Sequence, residues 1–491
     1  MPFLARGAAL LAVAVAFSGC AQAPLNVKLV AYDPAAGYRY RNLTGGADTD
    51  DLFVILAFSG GGTRAAAFSF GLLEGLRAVD YSAPGGPRRL LDDVEVISSV
   101  SGGSFTAAYY ALFRERAFTE FPKAFLYRNI EGALLRRALS PANWLRLGSP
   151  HFSRIDLAAE LYDEEVFEGK TFADLLRDGR KPYVILNATD MTLGTRFEFT
   201  QDQFDLLCSD LGPEKMARGV AASSAFPVLL TALTVKNFAV EGCGYRYPRW
   251  LENALRPEGN PARRYGLARD LASYQAQARE RDFIHLLDGG LADNIGLRGP
   301  YVALSSNDSG WSVLTRINQR KIRRVIVITA NAKTKQRHQW DRRESAPGLL
   351  DVMGFVTSGP MDAYSFDTVQ LVRDLFDQQA ADFEAWRACK SDMQQVCPAA
   401  QMQGVLPPVD FHAVELSFDA LRDDEALRRC LEQLPTTFAL PAAQVTLLRQ
   451  VARHLLMGSA ELQRAMAAIA PGWQPPAAPI DPAVRREACG G

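Results

Sequence analysis

The sequence predicts an α/β protein with a mostly parallel central sheet and a helical C-terminal extension, and three observations carry that prediction. Residues 52–58, LFVILAF, form a continuous apolar run of strand length with no alternation, as in strands covered on both faces. That run ends in a Gly-rich turn and a segment of helical period, and the pattern recurs along the chain. Beyond about residue 340 the strand signals almost vanish and long helical stretches replace them.

The elements follow in order. After 52–58, residues 65–79 carry apolar side chains at Phe68, Leu72, Leu76 and Val79, one face of a helix. VEVISSV (94–100) reads as a strand and 104–118 as the helix after it. YVILNAT, DFIHLLD and RRVIVITAN are further short apolar strands separated by helical segments, and in parallel sheets ligands collect at the carboxyl ends of such strands. Residues 367–388 and 442–466 are helical, with the single strand-like FHAVELSF between them, and the Pro-rich stretch from Pro471 to Pro482 reads as irregular.

The chain divides into a targeting segment (1–19), a tether (20–48), a catalytic α/β domain (49–340) and a mainly helical extension (341–491). Residues 1–20, MPFLARGAALLAVAVAFSGC, place one positive charge at Arg6 before an apolar run too short to span a bilayer. Ser18-Gly19-Cys20 resembles the lipobox of bacterial lipoproteins, and the resemblance implies lipidation at Cys20; an ordinary cleaved signal with an incidental Cys is the alternative. The expected location is the bacterial cell envelope, lipid-anchored at the periplasmic face of the outer membrane. Six cysteines remain after Cys20, an even number in an exported chain, and sequence proximity pairs Cys208 with Cys243 and Cys389 with Cys397. Net charge is −1 with no basic stripe, which excludes a nucleic-acid partner. No Cys or His spacing suggests a metal, and no cofactor is expected. Oligomeric state is not legible.

Ser101 sits in Ser99-Val-Ser-Gly-Gly103 between a strand and a helix, a variant of the G-x-S-x-G elbow in which small residues let the two backbones approach closely. Ser59, in Ala57-Phe-Ser-Gly-Gly61, satisfies the same local demands, and pattern alone does not choose between them. Gly60, Gly61 and Gly62 offer backbone N–H groups at a helix start, suited to an oxyanion or a phosphate, and Arg64 adds a charge in the same turn. Asp288 ends an apolar strand in Asp-Gly-Gly, either a turn or a carboxylate facing a site. None of the five histidines stands beside these motifs; His285, three residues before Asp288, falls on the opposite face of a regular strand.

Ser59-Gly-Gly-Gly-Thr-Arg64, Ser99-Val-Ser-Gly-Gly103 and Asp288-Gly-Gly290, in that order, resemble the patatin-like acyl hydrolases over residues 50 to 335. The resemblance implies a three-layer patatin-like fold and a Ser-Asp dyad without histidine, Ser101 as nucleophile with Asp288 as base. It also implies an oxyanion hole at the Gly60–Gly62 turn with Arg64, and it sets Ser59 aside. Ala222-Ser-Ser-Ala-Phe-Pro227 looks like a recurring structural segment of the family. The implied activity is a serine acyl hydrolase on lipid or phospholipid esters, of phospholipase A type. A thioesterase or general esterase is the alternative, and a noncatalytic envelope lipoprotein is a third reading. Residues 133–148, ALLRRALSPANWLRLG, read either as an interfacial or lid element or as a packed helix and loop.

Overall fold

The computed structural model describes residues 22–43, 52–83, 85–227, 229–256, 262–305, 313, 322–334, 344, 346–396 and 409–490. Cys20, the leader and Cys397 lie outside these residues. The strands of the central sheet are β1 (Leu52–Phe58), β2 (Val94–Val100), β3 (Tyr183–Asp190), β4 (Thr195–Glu198), β5 (Leu233–Lys236), β6 (Phe283–Asp288), β7 (Arg324–Asn331) and β8 (Asp410–Ser417). The helices that matter below are α1 (Gly62–Arg77), α2 (Gly102–Phe113), α3 (Ile130–Ala138), α4 (Pro141–Leu147), α5 (Arg154–Glu165), α6 (Met216–Ser223), α7 (Leu349–Val396) and α8 (Ala442–Gly458).

The eight strands run β8-β7-β1-β2-β3-β6-β5, with β4 on the far flank of β3. From β8 to β3 every pairing is parallel. β1 and β3 are buried almost end to end, which is why their sequences are apolar without alternation. The fold is thus the mostly parallel, helix-covered α/β architecture that the sequence predicts, with two differences.

The first is the direction of DFIHLLD: β6 runs antiparallel to β3, not parallel. Periodicity reports which faces are buried but not which way a strand runs. The second is FHAVELSF, which is no interruption of a helical appendage but the edge strand β8, paired with β7 over eight residues. α8 then packs on α1 so closely that a Cβ at Gly71 would lie 2.4 Å from the Arg449 carbonyl oxygen, and Arg449 grips Glu74 with two hydrogen bonds of 3.1 and 2.5 Å. α1 is therefore buried all round between sheet and α8.

The stretch expected to be a loose tether is also docked over its described part. Val27–Lys28 pairs with Ser209–Asp210, the Tyr38 hydroxyl bridges the N–H and carbonyl of Val184, and buried Arg39 pairs with Asp202 and Asp205 at 2.5 Å each. Isolated anchors such as these leave no periodic signal. Disulfides join Cys208 to Cys243, as sequence proximity suggests, and Cys430 to Cys489.

Candidate active site

β2 delivers Ser101 to the start of α2 in a conformation that L-residues avoid, φ 48° and ψ −119°. Such strain persists where neighbours over-determine it. Here they do: a Cβ at Gly102 would lie 2.0 Å from the Gly62 carbonyl oxygen, and one at Gly103 would lie 2.7 Å from Phe58 Cβ. The small residues around the serine are thus demanded by contact between the two turns. Ser99, which replaces the usual glycine, is accommodated because its hydroxyl donates to the Ile185 carbonyl (3.3 Å) and accepts from Ser104 Oγ (3.1 Å).

The antiparallel course of β6 is what brings the carboxylate in. Val100 pairs with Asn187 of β3 and Asp288 pairs with the next residue, Ala188, while β4 occupies the other flank of both positions. β2 and β6 therefore meet end to end along one side of β3. The Asp288 carboxylate accepts from Gly290 N–H at 2.8 Å and stands close enough to Ser101 for the serine hydroxyl to act on it. Burial pushes the Asp288 carboxyl up to about 6; the Gly290 N–H and the nearby Ser101 hydroxyl oppose that rise without cancelling it. Among the described residues no histidine takes part: His285 bonds Thr234 and His412 lies between Asp410 and Glu461, both on other parts of the sheet.

The Gly-rich turn lies over the serine, with a Cβ at Gly60 falling 3.3 Å from Ser101 Cβ. Gly61 (φ 136°) and Gly62 (φ 61°) adopt backbone conformations that favour glycine, and neither N–H has an acceptor among the described residues. Two sequence expectations need correcting here. Gly60 N–H is not open to an oxyanion, because it donates to the Asn294 carbonyl at 3.0 Å. Arg64 does not face the serine either: its guanidinium donates to the carbonyls of Ala332 (2.9 Å) and Leu434 (2.7 Å) and to Thr436 Oγ1 (3.0 Å), so it braces the turn from behind. Ser59, the rival serine, is buried, its hydroxyl accepting from Ala332 N–H (2.9 Å) and donating to the Gly60 carbonyl (3.2 Å).

Sequence reasoning treated Ala222–Pro227 only as structural, and the structure shows how it works. Ser223 Oγ accepts from Ser101 N–H (3.0 Å) and donates to the Asn187 carbonyl (2.7 Å), while the Ser223 and Ala225 carbonyls accept from Gly289 and Asp288 N–H (3.1 and 3.0 Å). One segment thus pins both halves of the Ser-Asp pair. Two contributions from beyond residue 340 were missed. The Thr437 carbonyl accepts from Thr63 N–H (2.9 Å) and would sit 2.3 Å from a Cβ at Gly62, and Met361 of α7 abuts Gly290. Contacts across several hundred residues carry no local signal. Among the described residues no cluster of three His, Cys, Asp or Glu is arranged to hold a metal.

Residues 56–301, half of the chain, match the family described as patatin-like phospholipases, and the chain belongs to that family. Membership supports a lipid acyl hydrolase in general terms. Among solved structures, human GIVD cytosolic phospholipase A2 is similar at 14% identity and TM-score 0.32, covering 58% of this chain and 46% of its own. The chain therefore spans just under half the length of that phospholipase. VipD from Legionella pneumophila follows at 10% identity and TM-score 0.26 (91% and 75% covered), and the structure of ExoU with SpcU from Pseudomonas aeruginosa at 16% and 0.19 (95% and 84%). No curated protein sequence matches the chain.

Proposed function

We propose that this protein hydrolyses acyl esters of phospholipids, in the manner of a phospholipase A, with Ser101 as nucleophile and Asp288 as its base. The observation that carries the reading is the convergence of the Ser101 hydroxyl and a buried carboxylate where β2 and β6 meet end to end, beneath two N–H groups without acceptors among the described residues. A carboxyl near 6 is ionised at neutral pH yet far more basic than an ordinary aspartate, which suits it to receive the serine proton. Ser101 Oγ then bonds to the ester carbonyl carbon and the Gly61 and Gly62 amides hold the oxyanion. Asp288 returns the proton as the C–O bond to the leaving alcohol breaks. Water, deprotonated by Asp288, attacks the acyl carbonyl carbon, and Asp288 passes that proton to Ser101 Oγ as the acyl-enzyme C–O bond breaks, freeing the fatty acid and restoring both residues.

The resemblance of Ser18-Gly19-Cys20 to a lipobox supports a further part of the reading: an acylated protein held at the bacterial envelope, facing the periplasm. Among the described residues no helix is long and apolar enough to cross a membrane.

The test is product analysis by mass spectrometry after incubation with mixed envelope phospholipids. Fatty acid and lysophospholipid should appear with the wild type and be absent with Ser101→Ala. Release of thiol from acyl thioesters with no lysophospholipid would assign a thioesterase instead.

A further inference from the structure

Helices α3 and α4 reverse the arrangement usual for a surface helix pair. Two of their three cations turn towards α5: Arg137 pairs with Glu164 and Glu165, and Arg146 pairs with Glu160 while stacking 4.0 Å over the Phe152 ring. Ile130 and Ala133 are buried against the domain. What faces solvent is apolar, with Leu135, Leu139, Trp144 and Leu145 exposed by 59, 58, 62 and 40%. Leu135 and Leu139 stand one above the other at i, i+4. Arg136, next to Leu135 in α3, and Arg154, at the start of α5, are exposed and have no ion-pair partner among the described residues. An apolar ridge flanked by unpaired cations has the chemistry of an element that lies in an anionic lipid interface.

Two independent placements say what covers this ridge. The first is the chain's point of emergence: Ala23 N–H donates to the His151 carbonyl (2.8 Å), four residues past the end of α4. The segment from Asn26 to Leu43 is docked on the domain, so Cys20 hangs on three residues, at most about 11 Å of chain. The second is the Gly-rich turn that lies over Ser101. Ile130 N–H donates to the Phe438 carbonyl (3.1 Å) and Glu131 accepts from Thr437 Oγ1, while the Thr437 carbonyl holds the turn at Gly62. The start of α3 thus adjoins, through residues 437–438, the Gly-rich turn over Ser101, and the chain towards Cys20 leaves just past the other end of the α3–α4 pair.

We propose that α3 and α4 are the bilayer-docking surface of this protein, with Leu135, Leu139, Trp144 and Leu145 entering an anionic phospholipid leaflet and Arg136 and Arg154 meeting its headgroups. The purpose of the docking rests on the lipid-hydrolase reading above; the docking itself does not. Seated this way, the protein presents the Gly61–Gly62 turn to lipid leaving the leaflet, and a short acyl leash at Cys20 reinforces the same orientation.

The test compares the full chain carrying Cys20→Ala, so that no acyl anchor forms, with the same chain carrying Leu139→Asp and Trp144→Asp. Binding is read by cosedimentation with vesicles of phosphatidylcholine alone and with added phosphatidylglycerol. Hydrolysis is read on vesicle lipid and on a short-chain ester kept monomeric. The parent should bind the anionic vesicles more tightly than the neutral ones. The double variant should lose about a hundredfold in affinity, about tenfold per side chain, and lose vesicle hydrolysis in proportion while the monomeric ester is cleaved as before. Equal cosedimentation of parent and variant, or no binding by the parent, would overturn the proposal. So would a parent dimer that the variant abolishes without change in vesicle binding, which would assign the ridge to a second copy of the chain. Vesicle binding lost on substitution, with no hydrolysis by any form, would keep the docking surface and remove the hydrolase reading.

Discussion

Asp288→Asn should make the protein more stable at neutral pH while disabling it, and the size of that gain follows from the site. The Asp288 carboxyl moves from 3.8 to about 6 because burial disfavours its charge. A group whose folded value is raised in this way is neutral at no cost below the unfolded value. Its penalty grows as pH rises from 3.8 towards 6 and is complete above that. At about 1.4 kcal/mol per tenfold change, ionised Asp288 costs about 3 kcal/mol at pH 8 and roughly half of that at pH 5. The amide variant keeps a carbonyl for Gly290 N–H and carries no charge, so it escapes the penalty. Thermal unfolding of both forms between pH 5 and 8 checks this: the variant's Tm advantage should reach roughly 3 °C at pH 8 for a chain of this length and shrink as pH falls. In parallel, wild-type hydrolysis of a monomeric ester should fall as pH drops through about 6, where the base takes up its proton. A Tm difference that does not change with pH, or a variant less stable at pH 8, would refute the argument that the buried charge is the origin of the raised value.

Other expectations concern the backbone and its supports. Ser101→Gly should unfold at higher temperature than Ser101→Ala, by about 1–3 kcal/mol in stability, because only glycine relaxes the positive φ at the elbow while both remove the hydroxyl. Gly62→Ala should lower kcat by about a hundred- to thousandfold and also destabilise the protein, since the new Cβ meets the Thr437 carbonyl at 2.3 Å and the turn must shift. Ser223→Ala leaves Ser101 N–H and the Asn187 carbonyl without their shared partner. It should cost about 1–3 kcal/mol of stability and lower kcat more than it raises KM, read by denaturant titration and steady-state kinetics.

Much of this arrangement was legible in the residues. Strand-length apolar runs located β1, β2, β3 and β7, and Ser-Gly-Gly and Asp-Gly-Gly marked the two corners that the fold brings together. Less legible was anything requiring direction or distance along the chain. The pattern of DFIHLLD is the same whether it runs parallel or antiparallel, yet only the antiparallel course sets Asp288 end to end with Val100. The three glycines look equivalent as a string, but the Asn294 carbonyl occupies the first and leaves the other two open. Arg64 reads as a charge beside an anion site, and only the fold shows Ala332, Leu434 and Thr436 claiming it. Ser223, Met361 and Thr437 act through contacts between distant segments, which no local pattern encodes.

The central claim is that the Ser101 hydroxyl, activated by Asp288, is the nucleophile. A fluorophosphonate probe followed by peptide mass mapping tests it most directly. The adduct should fall on Ser101 in the wild type and in Ser59→Ala, and Ser101→Ala should take no label. An adduct on any other serine, or a wild type that the probe does not modify, would contradict the account.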